Sequence, residues 1–398
     1  MQLSERILAM SESPIRKLVP LAQAAKKQGK KVYHLNIGQP DIETPSVFFE
    51  AVANFKLPVL EYALSQGSLE LIDAVRNYYD RLGIHYDADE VIITNGGSEA
   101  IMFAVVATCD YGDEILVAEP YYTNYRSFAK PYGVDVKPIT TTPESGFALP
   151  SKEELQTLVT DKTKAILLSN PGNPTGAVYT KEEVAMVADF AAENNLFVMA
   201  DEVYREFAYD GLEVTSFAEM DQIEQNLIMI DSISKRFSAC GARIGLIASK
   251  NKQLMKNVMK LAQARLCVPT LEMVGATALY QLPPTYFDPI REEYQARRDI
   301  TLAALQAMPG VLCKVPKGAF YAVAKLPVDS AEKFAAWLLS DFSHDNETVM
   351  VAPAEGFYAT PGLGVQEVRI AYVLETEELE QAMAVLKVAL EEYPGRTI

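Results

Sequence analysis

Short, nearly continuous apolar runs recur at residues 91–94, 114–118, 165–169, 196–200, 227–231 and 243–248. They lack the in–out alternation of strands that face water on one side. Between many of them the apolar positions recur at helical spacing, as in 98–109 and 181–194. Fully apolar strands separated by amphipathic helices predict an α/β fold with a mostly parallel central sheet covered by helices on both faces.

The pattern changes after residue 282. Pro283-Pro284 leads into a long charged helical stretch, 286–308, then short strands around 318–323 and 367–372 and a closing helix over 376–392. This predicts a smaller α+β domain over 283–398. The main sheet starts late, so 1–45 is expected to form an arm and part of the small domain, leaving 46–282 as the large domain.

Composition narrows the function. The 398 residues carry 36 Lys and Arg against 53 Asp and Glu, a net charge of −17. Such acidity speaks against a phosphate-backbone binder and against a polybasic membrane anchor. Four cysteines (109, 240, 267, 313) and three histidines (34, 85, 344) are scattered without a C-x-x-C pair, which excludes zinc-finger, haem-attachment and disulfide-scaffold patterns. No metal site is expected. The N-terminal stretch has early acids and no long apolar core, unlike a secretory leader. No window is apolar enough to span a bilayer. The expectation is a soluble, cytoplasmic protein.

In open α/β sheets ligands bind beyond the carboxyl ends of the strands, so the residues that follow each run are the candidates. After 91–94 comes Asn95-Gly-Gly-Ser98 at a helix entry. Gly97 and Ser98 there suit an anion, although a plain helix cap has the same look. Asp201 and Tyr204 follow the run 196–200, and an acid at the end of a buried strand calls for a cation. Ser232, Ser234 and Lys235 follow 227–231, with Arg243 eight residues beyond Lys235. A desolvated lysine is a carbonyl-condensing nucleophile; a surface lysine is the commoner fate. Residues 169–176 hold two prolines and two glycines, more constraint than a simple turn needs, and would fix the Asn173 amide. No G-x-G-x-x-G or G-x-x-x-x-G-K-[S/T] is present, so an NAD-dependent oxidoreductase and a P-loop enzyme are not indicated.

With Asn-Pro-x-Asn-Pro-Thr-Gly, Asp-x-x-Tyr and Ser-x-Ser-Lys in that order, the chain resembles the fold-type I, pyridoxal-phosphate-dependent class I/II aminotransferases over nearly its whole length. The resemblance implies that Lys235 holds the cofactor covalently and shuttles the substrate proton. It implies that Asp201 pairs with the pyridinium N–H, that Asn173 and Tyr204 bond the ring's phenolic oxygen, and that Tyr122 stacks on the ring. Gly97, Ser98, Ser232 and Arg243 become the phosphate cup. Arg369 grips the substrate α-carboxylate, with the Gly38 backbone alongside. Tyr62 reaches the phosphate of a neighbouring subunit, which implies a homodimer with shared active sites.

The substrate is less legible. One aspartate-aminotransferase branch has a lysine where this chain has Ser98. Arg265, ten residues before Gly275-Ala276, is the candidate for a distal-carboxylate contact across the dimer; a helix-end cation is the plain alternative. The expectation is transamination between L-aspartate and 2-oxoglutarate. Aromatic or alanine donors, or a C–S β-lyase activity on the same scaffold, stay open. A catalytically silent sensor domain would need a helix-turn-helix module, for which the arrangement leaves no room.

Overall fold

The protein is described by a computed structural model covering residues 2–8, 10, 14 and 16–398. After β1 (Lys31–His34) the chain builds a seven-stranded sheet from β2 (Val91–Thr94), β3 (Glu114–Glu119), β4 (Asp135–Thr140), β5 (Thr163–Ser169), β6 (Phe197–Asp201), β7 (Leu227–Ser232) and β8 (Gly245–Ala248). Their order is β2-β8-β7-β6-β5-β3-β4. All neighbours run parallel except β8, which is antiparallel to both β2 and β7.

Burial on both faces explains the missing alternation. Along β7, Leu227 and Met229 enter one core, while Ile228 and Ile230 enter the core on the opposite face. The helices Gly96–Thr108 and Lys252–Arg265 cover the second face; Leu69–Asp80, Lys181–Glu193 and Thr270–Tyr280 cover the first. The edge strand β4 escapes the apolar pattern because all but one of its positions are exposed or only partly buried. It carries Pro138, whose missing N–H is tolerable at an edge.

The reversal of β8 shapes the site. Gly245 pairs with both Thr94 and Ser232, so the entry to β8 lies at the carboxyl ends of β2 and β7. Only glycine fits there: a Cβ on Gly245 would lie 2.5 to 2.8 Å from the Gly96 and Gly97 backbone and the Asp231 carbonyl.

A second, antiparallel sheet has the order β12-β13-β10-β9, from β9 (Leu312–Cys313), β10 (Tyr321–Lys325), β12 (Ala352–Pro353) and β13 (Glu367–Ala371). β1 pairs in parallel with β11 (Glu347–Met350). Its core joins Leu18, Ala22 and Leu35 to Phe334, Leu338 and Leu386, so both ends of the chain share one hydrophobic cluster. The helix Phe287–Gln306 spans the two bodies: Phe287 lies in the core of the large sheet, Tyr294 and Leu305 in the other. Tyr204 and Phe207, just past β6, also belong to this second core. The segment after β6 therefore plugs one body into the other.

Candidate active site

A cavity of about 480 Å³ opens at this seam, beyond the carboxyl ends of β5, β6 and β7. Its wall includes Gly38, Gly97, Ser98, Tyr122, Asn173, Asp201, Tyr204, Ser232, Lys235, Arg243 and Arg369. Residues far apart in sequence are thus gathered at one place, because each ends an element that points there.

Asp201 closes β6 and is buried. One carboxylate oxygen accepts the Tyr125 hydroxyl at 2.6 Å, the other the Val203 amide at 3.3 Å. Burial pushes its pKa up to about 6, against the pull of those two donors. A carboxyl so poised is stabilised as an anion by any cation placed in the cavity.

Lys235 lies in the short helix Ile233–Arg236, which starts from Ser232 at the end of β7. The Ser232 hydroxyl accepts the Ser234 amide at 3.1 Å and reaches the Ile244 carbonyl at 2.9 Å. Below it, buried Arg236 contacts both carboxylate oxygens of Asp231 at 2.5 Å, and Tyr79 donates to Asp231 at 2.7 Å. This anchor holds the turn while the half-buried Lys235 ammonium donates to the Gly38 carbonyl at 3.0 Å.

The opposite end suits an anion. The 13-residue helix Gly96–Thr108 points its first N–H groups at the cavity, beside the Ser98 hydroxyl, and helix N-termini favour negative charge. Arg243 adopts a left-handed backbone (φ 56°) and sends its guanidinium over this entry, donating to the Cys240 carbonyl at 3.0 Å. A Cβ on Gly96, itself at φ 76°, would run into that guanidinium.

Arg369, from β13, is buried, yet no carboxylate meets it. It donates to the Asn173 Oδ1 at 3.1 Å and the Asn36 carbonyl at 2.5 Å, and its Nε has no partner. The Tyr321 and Phe357 rings lie 4.6 and 5.0 Å from it. Burial pulls its pKa down, offset only in part by the neighbouring tyrosines. A buried guanidinium with an unpartnered N–H and no acidic neighbour suits a ligand carboxylate. Asn173 is held by the looped segment 169–176, where Gly172 donates to the Ala177 carbonyl at 2.8 Å and the Ser169 hydroxyl reaches the Pro171 carbonyl at 3.0 Å. The buried Tyr204 hydroxyl lies 2.9 Å from that of Tyr321. Gly38 passes so close to the Tyr321 hydroxyl that any side chain there would collide with it.

Two sequence candidates lie elsewhere. Tyr62 is 82% exposed, outside its own chain's cavity. Arg265, expected to reach a distal carboxylate across a dimer, lies outside its own chain's cavity, and its Nε and Nη1 have no hydrogen-bond partner among the described residues. Its Nε lies 3.4 Å from Glu99, and it donates to the Ile93 carbonyl at 3.1 Å. Burial pulls its pKa down, and the Glu99 carboxylate offsets this only in part. Tyr125, Tyr321 and Arg16 were not anticipated. Tyr125 lies three residues from Tyr122, a helical-neighbour spacing that could have signalled it. Tyr321 stands in the run Gly318-Ala-Phe-Tyr321, read only as a strand. Arg16 had no signal.

A nucleophilic lysine, a buried carboxylate awaiting a cation, an anion cup and a buried arginine awaiting a carboxylate define a lysine-based transferase site for a phosphorylated carbonyl cofactor and an amino acid. The family model for "Aminotransferase class I and II" matches residues 30–386, and the chain belongs to that family. The aspartate aminotransferase of Pyrococcus horikoshii is 31% identical, over 98% of this chain and 97% of its own. Aromatic-amino-acid aminotransferase 2 of Thermococcus litoralis is 31% identical over 98% and 99%. The crystal structure of a Thermotoga maritima aspartate aminotransferase superposes with a TM-score of 0.90, at 27% identity over 98% of this chain and 100% of that one.

The protein is therefore a fold-type I, pyridoxal-phosphate-dependent aminotransferase, and the silent-sensor reading is set aside. The donor set fits that cofactor. The ionisable Asp201 carboxyl suits a pyridinium N–H, and the helix entry with Ser98 and Arg243 suits a phosphate. Among the described residues, no group of three or more His, Cys, Asp or Glu is placed to hold a metal ion. No helix among them is long and apolar enough to cross a membrane.

Proposed function

We propose that this enzyme moves the amino group between L-aspartate and 2-oxoglutarate. The observation that carries amino-acid recognition is Arg369, buried, unmatched by any carboxylate and within the same cavity as Lys235. It binds the α-carboxylate and so aims Cα at the lysine, while Asn173 holds the guanidinium in place. Asp201 keeps the ring nitrogen protonated, and Tyr204 with Asn173 donates to the ring's phenolic oxygen. Gly97, Ser98, Ser232 and Arg243 retain the phosphate, and Tyr122 covers the ring face. Bound there, the cofactor supplies an electrophilic carbonyl for the amino group and an electron-withdrawing ring that stabilises charge at Cα. Lys235 Nζ removes the Cα proton and returns it during the exchange. Aspartate as donor is supported by the printed names of the P. horikoshii and T. maritima relatives.

A second reading, aromatic donors, is favoured by the apolar wall of Ile37, Ile101 and Tyr122 and by the T. litoralis relative. Single amino acids added to the holoenzyme separate the two. With aspartate the cofactor's visible absorption should be lost quickly; loss with phenylalanine or tyrosine alone would overturn the preferred donor. Lys235→Ala should cut turnover by at least about 10³-fold, and an unchanged rate would overturn the lysine's role.

We read 46–282 as the large domain and 1–45 with 283–398 as the small one, supported by hydrophobic cores that are distinct apart from Tyr204, Phe207, Tyr209 and Phe287, which cross the seam. We read the assembly as a cytoplasmic homodimer in which Tyr62 completes the partner's phosphate site. Its support is an exposed apolar run, Leu57, Val59, Leu60, Tyr62 and Leu64, of the kind that marks an interface.

A further inference from the structure

Glu119 closes β3 and is fully buried, yet the four groups that donate to its carboxylate are all neutral. One oxygen accepts the hydroxyls of Thr140 at 2.9 Å and Thr360 at 2.6 Å. The other accepts the backbone amides of Ala359 at 2.7 Å and Thr360 at 3.0 Å. A carboxylate at this depth is costly without partners, and these donors offset that cost. Three of the four come from residues 359 and 360, across the seam between the two bodies.

The segment gripped in this way flanks Arg369 twice. Its strand β12 pairs with β13, placing Ala352 in register with Arg369. Farther along, the buried Phe357 ring stands 5.0 Å from the Arg369 guanidinium. The large body holds the same stretch at a second point, where the Tyr121 amide donates to the Phe357 carbonyl at 2.9 Å. The next residue, Tyr122, is the aromatic on the cavity wall. Residues 119–122 thus hold the flank of Arg369 with one end and present Tyr122 to the cavity with the other. Glu119 itself does not line the cavity.

We infer that Glu119 is a positioning residue for the reaction: through the 352–360 segment it fixes where the α-carboxylate subsite at Arg369 stands relative to the ring face covered by Tyr122. The inference rests on the site reading proposed above, in which Arg369 takes the α-carboxylate. A brace that merely joined the two bodies would change stability and leave the affinity of the folded enzyme untouched.

The test compares wild type, Glu119→Ala, Glu119→Gln and Thr360→Val as holoenzymes. Glu119→Ala should raise KM for amino donors and 2-oxo acids alike, charged or neutral, by about 10- to 100-fold, with cofactor affinity within about twofold, since a shift of about 1 Å between binding groups has an effect of that order. Glu119→Gln should stay within about threefold of wild type, because its amide oxygen can accept the two backbone amides and its NH2 can donate to the two hydroxyls. Thr360→Val, which removes one donor, should raise KM by about three- to tenfold, and it carries the test if Glu119→Ala does not fold. Independently of turnover, propionate should bind Glu119→Ala and Thr360→Val more weakly by the same factors, read as a shift of the cofactor's absorption on titration. Unchanged KM and propionate affinity with only a lower unfolding midpoint would overturn the inference, and so would an equal loss of cofactor affinity. Arg369→Gln separates the two levels. If it leaves propionate binding unchanged, the Arg369 reading itself fails and the inference falls with it. If it weakens propionate while Glu119→Ala and Thr360→Val do not, the Arg369 reading stands and the role of Glu119 is overturned.

Discussion

Asp201 shows how one residue's chemistry depends on its address. An aspartate ordinarily ionises near 3.8; here burial holds the proton on to about pH 6. Between those values the folded chain binds more protons than the unfolded one, so stability falls as pH rises through the interval, by roughly 3 kcal/mol in all. Asp201→Asn removes that dependence. In urea denaturation of cofactor-free protein, the variant's stability relative to wild type should improve by about that amount between pH 4 and pH 7. A constant difference would show that Asp201 is not desolvated. The residue was legible in the sequence because an acid closes an apolar run. Its partner Tyr125 was not, since contact across 76 positions is made only by the fold.

At the scale of elements, the looped segment 169–176 does more than fix Asn173. The Gly176 carbonyl accepts the amides of Lys317 at 2.8 Å and Gly318 at 2.9 Å, tying the loop after β5 to the approach of β10. Gly176 has φ 67°, and a Cβ there would lie 2.5 to 2.9 Å from Pro316 and the carbonyls of Tyr321 and Gly318. Gly176→Ala combines left-handed backbone strain with overpacking and should cost about 2–4 kcal/mol, read as a lower midpoint in thermal or denaturant unfolding. The helix expected over 181–194 is observed as Lys181–Glu193, held by a capping box between Thr180 and Glu183. Strand β4 was missed, since its half-exposed, proline-bearing edge lacks the apolar signature of the central strands.

For the molecule as a whole, a net charge of −17 surrounds a cavity whose wall is cationic, so global charge and local function have opposite sign. Charge away from zero favours solubility, while the local arginines select anionic ligands. The exposed apolar run 57–64 belongs to the same scale. Replacing Leu57 and Leu60 together by Asp should shift the protein from dimer to monomer in sedimentation equilibrium, with at least about tenfold lower turnover if Tyr62 serves the partner's site. A monomeric wild type with full activity would contradict the shared site.

By itself the sequence determined the α/β class, the strand ends to inspect, and the ordered set of Asn173, Asp201, Tyr204, Lys235 and Arg243. These signals are local: an apolar run declares a buried strand, and the residue after it declares what reaches the cleft. The tertiary structure alone decided the antiparallel placement of β8 and the burial of Arg369 without a carboxylate. It also set Arg265 beside Glu99 and placed Arg16 on the cavity wall. Each of these depends on which distant segment lies opposite, and in a chain this long that choice is set by packing of the whole, which no local pattern encodes.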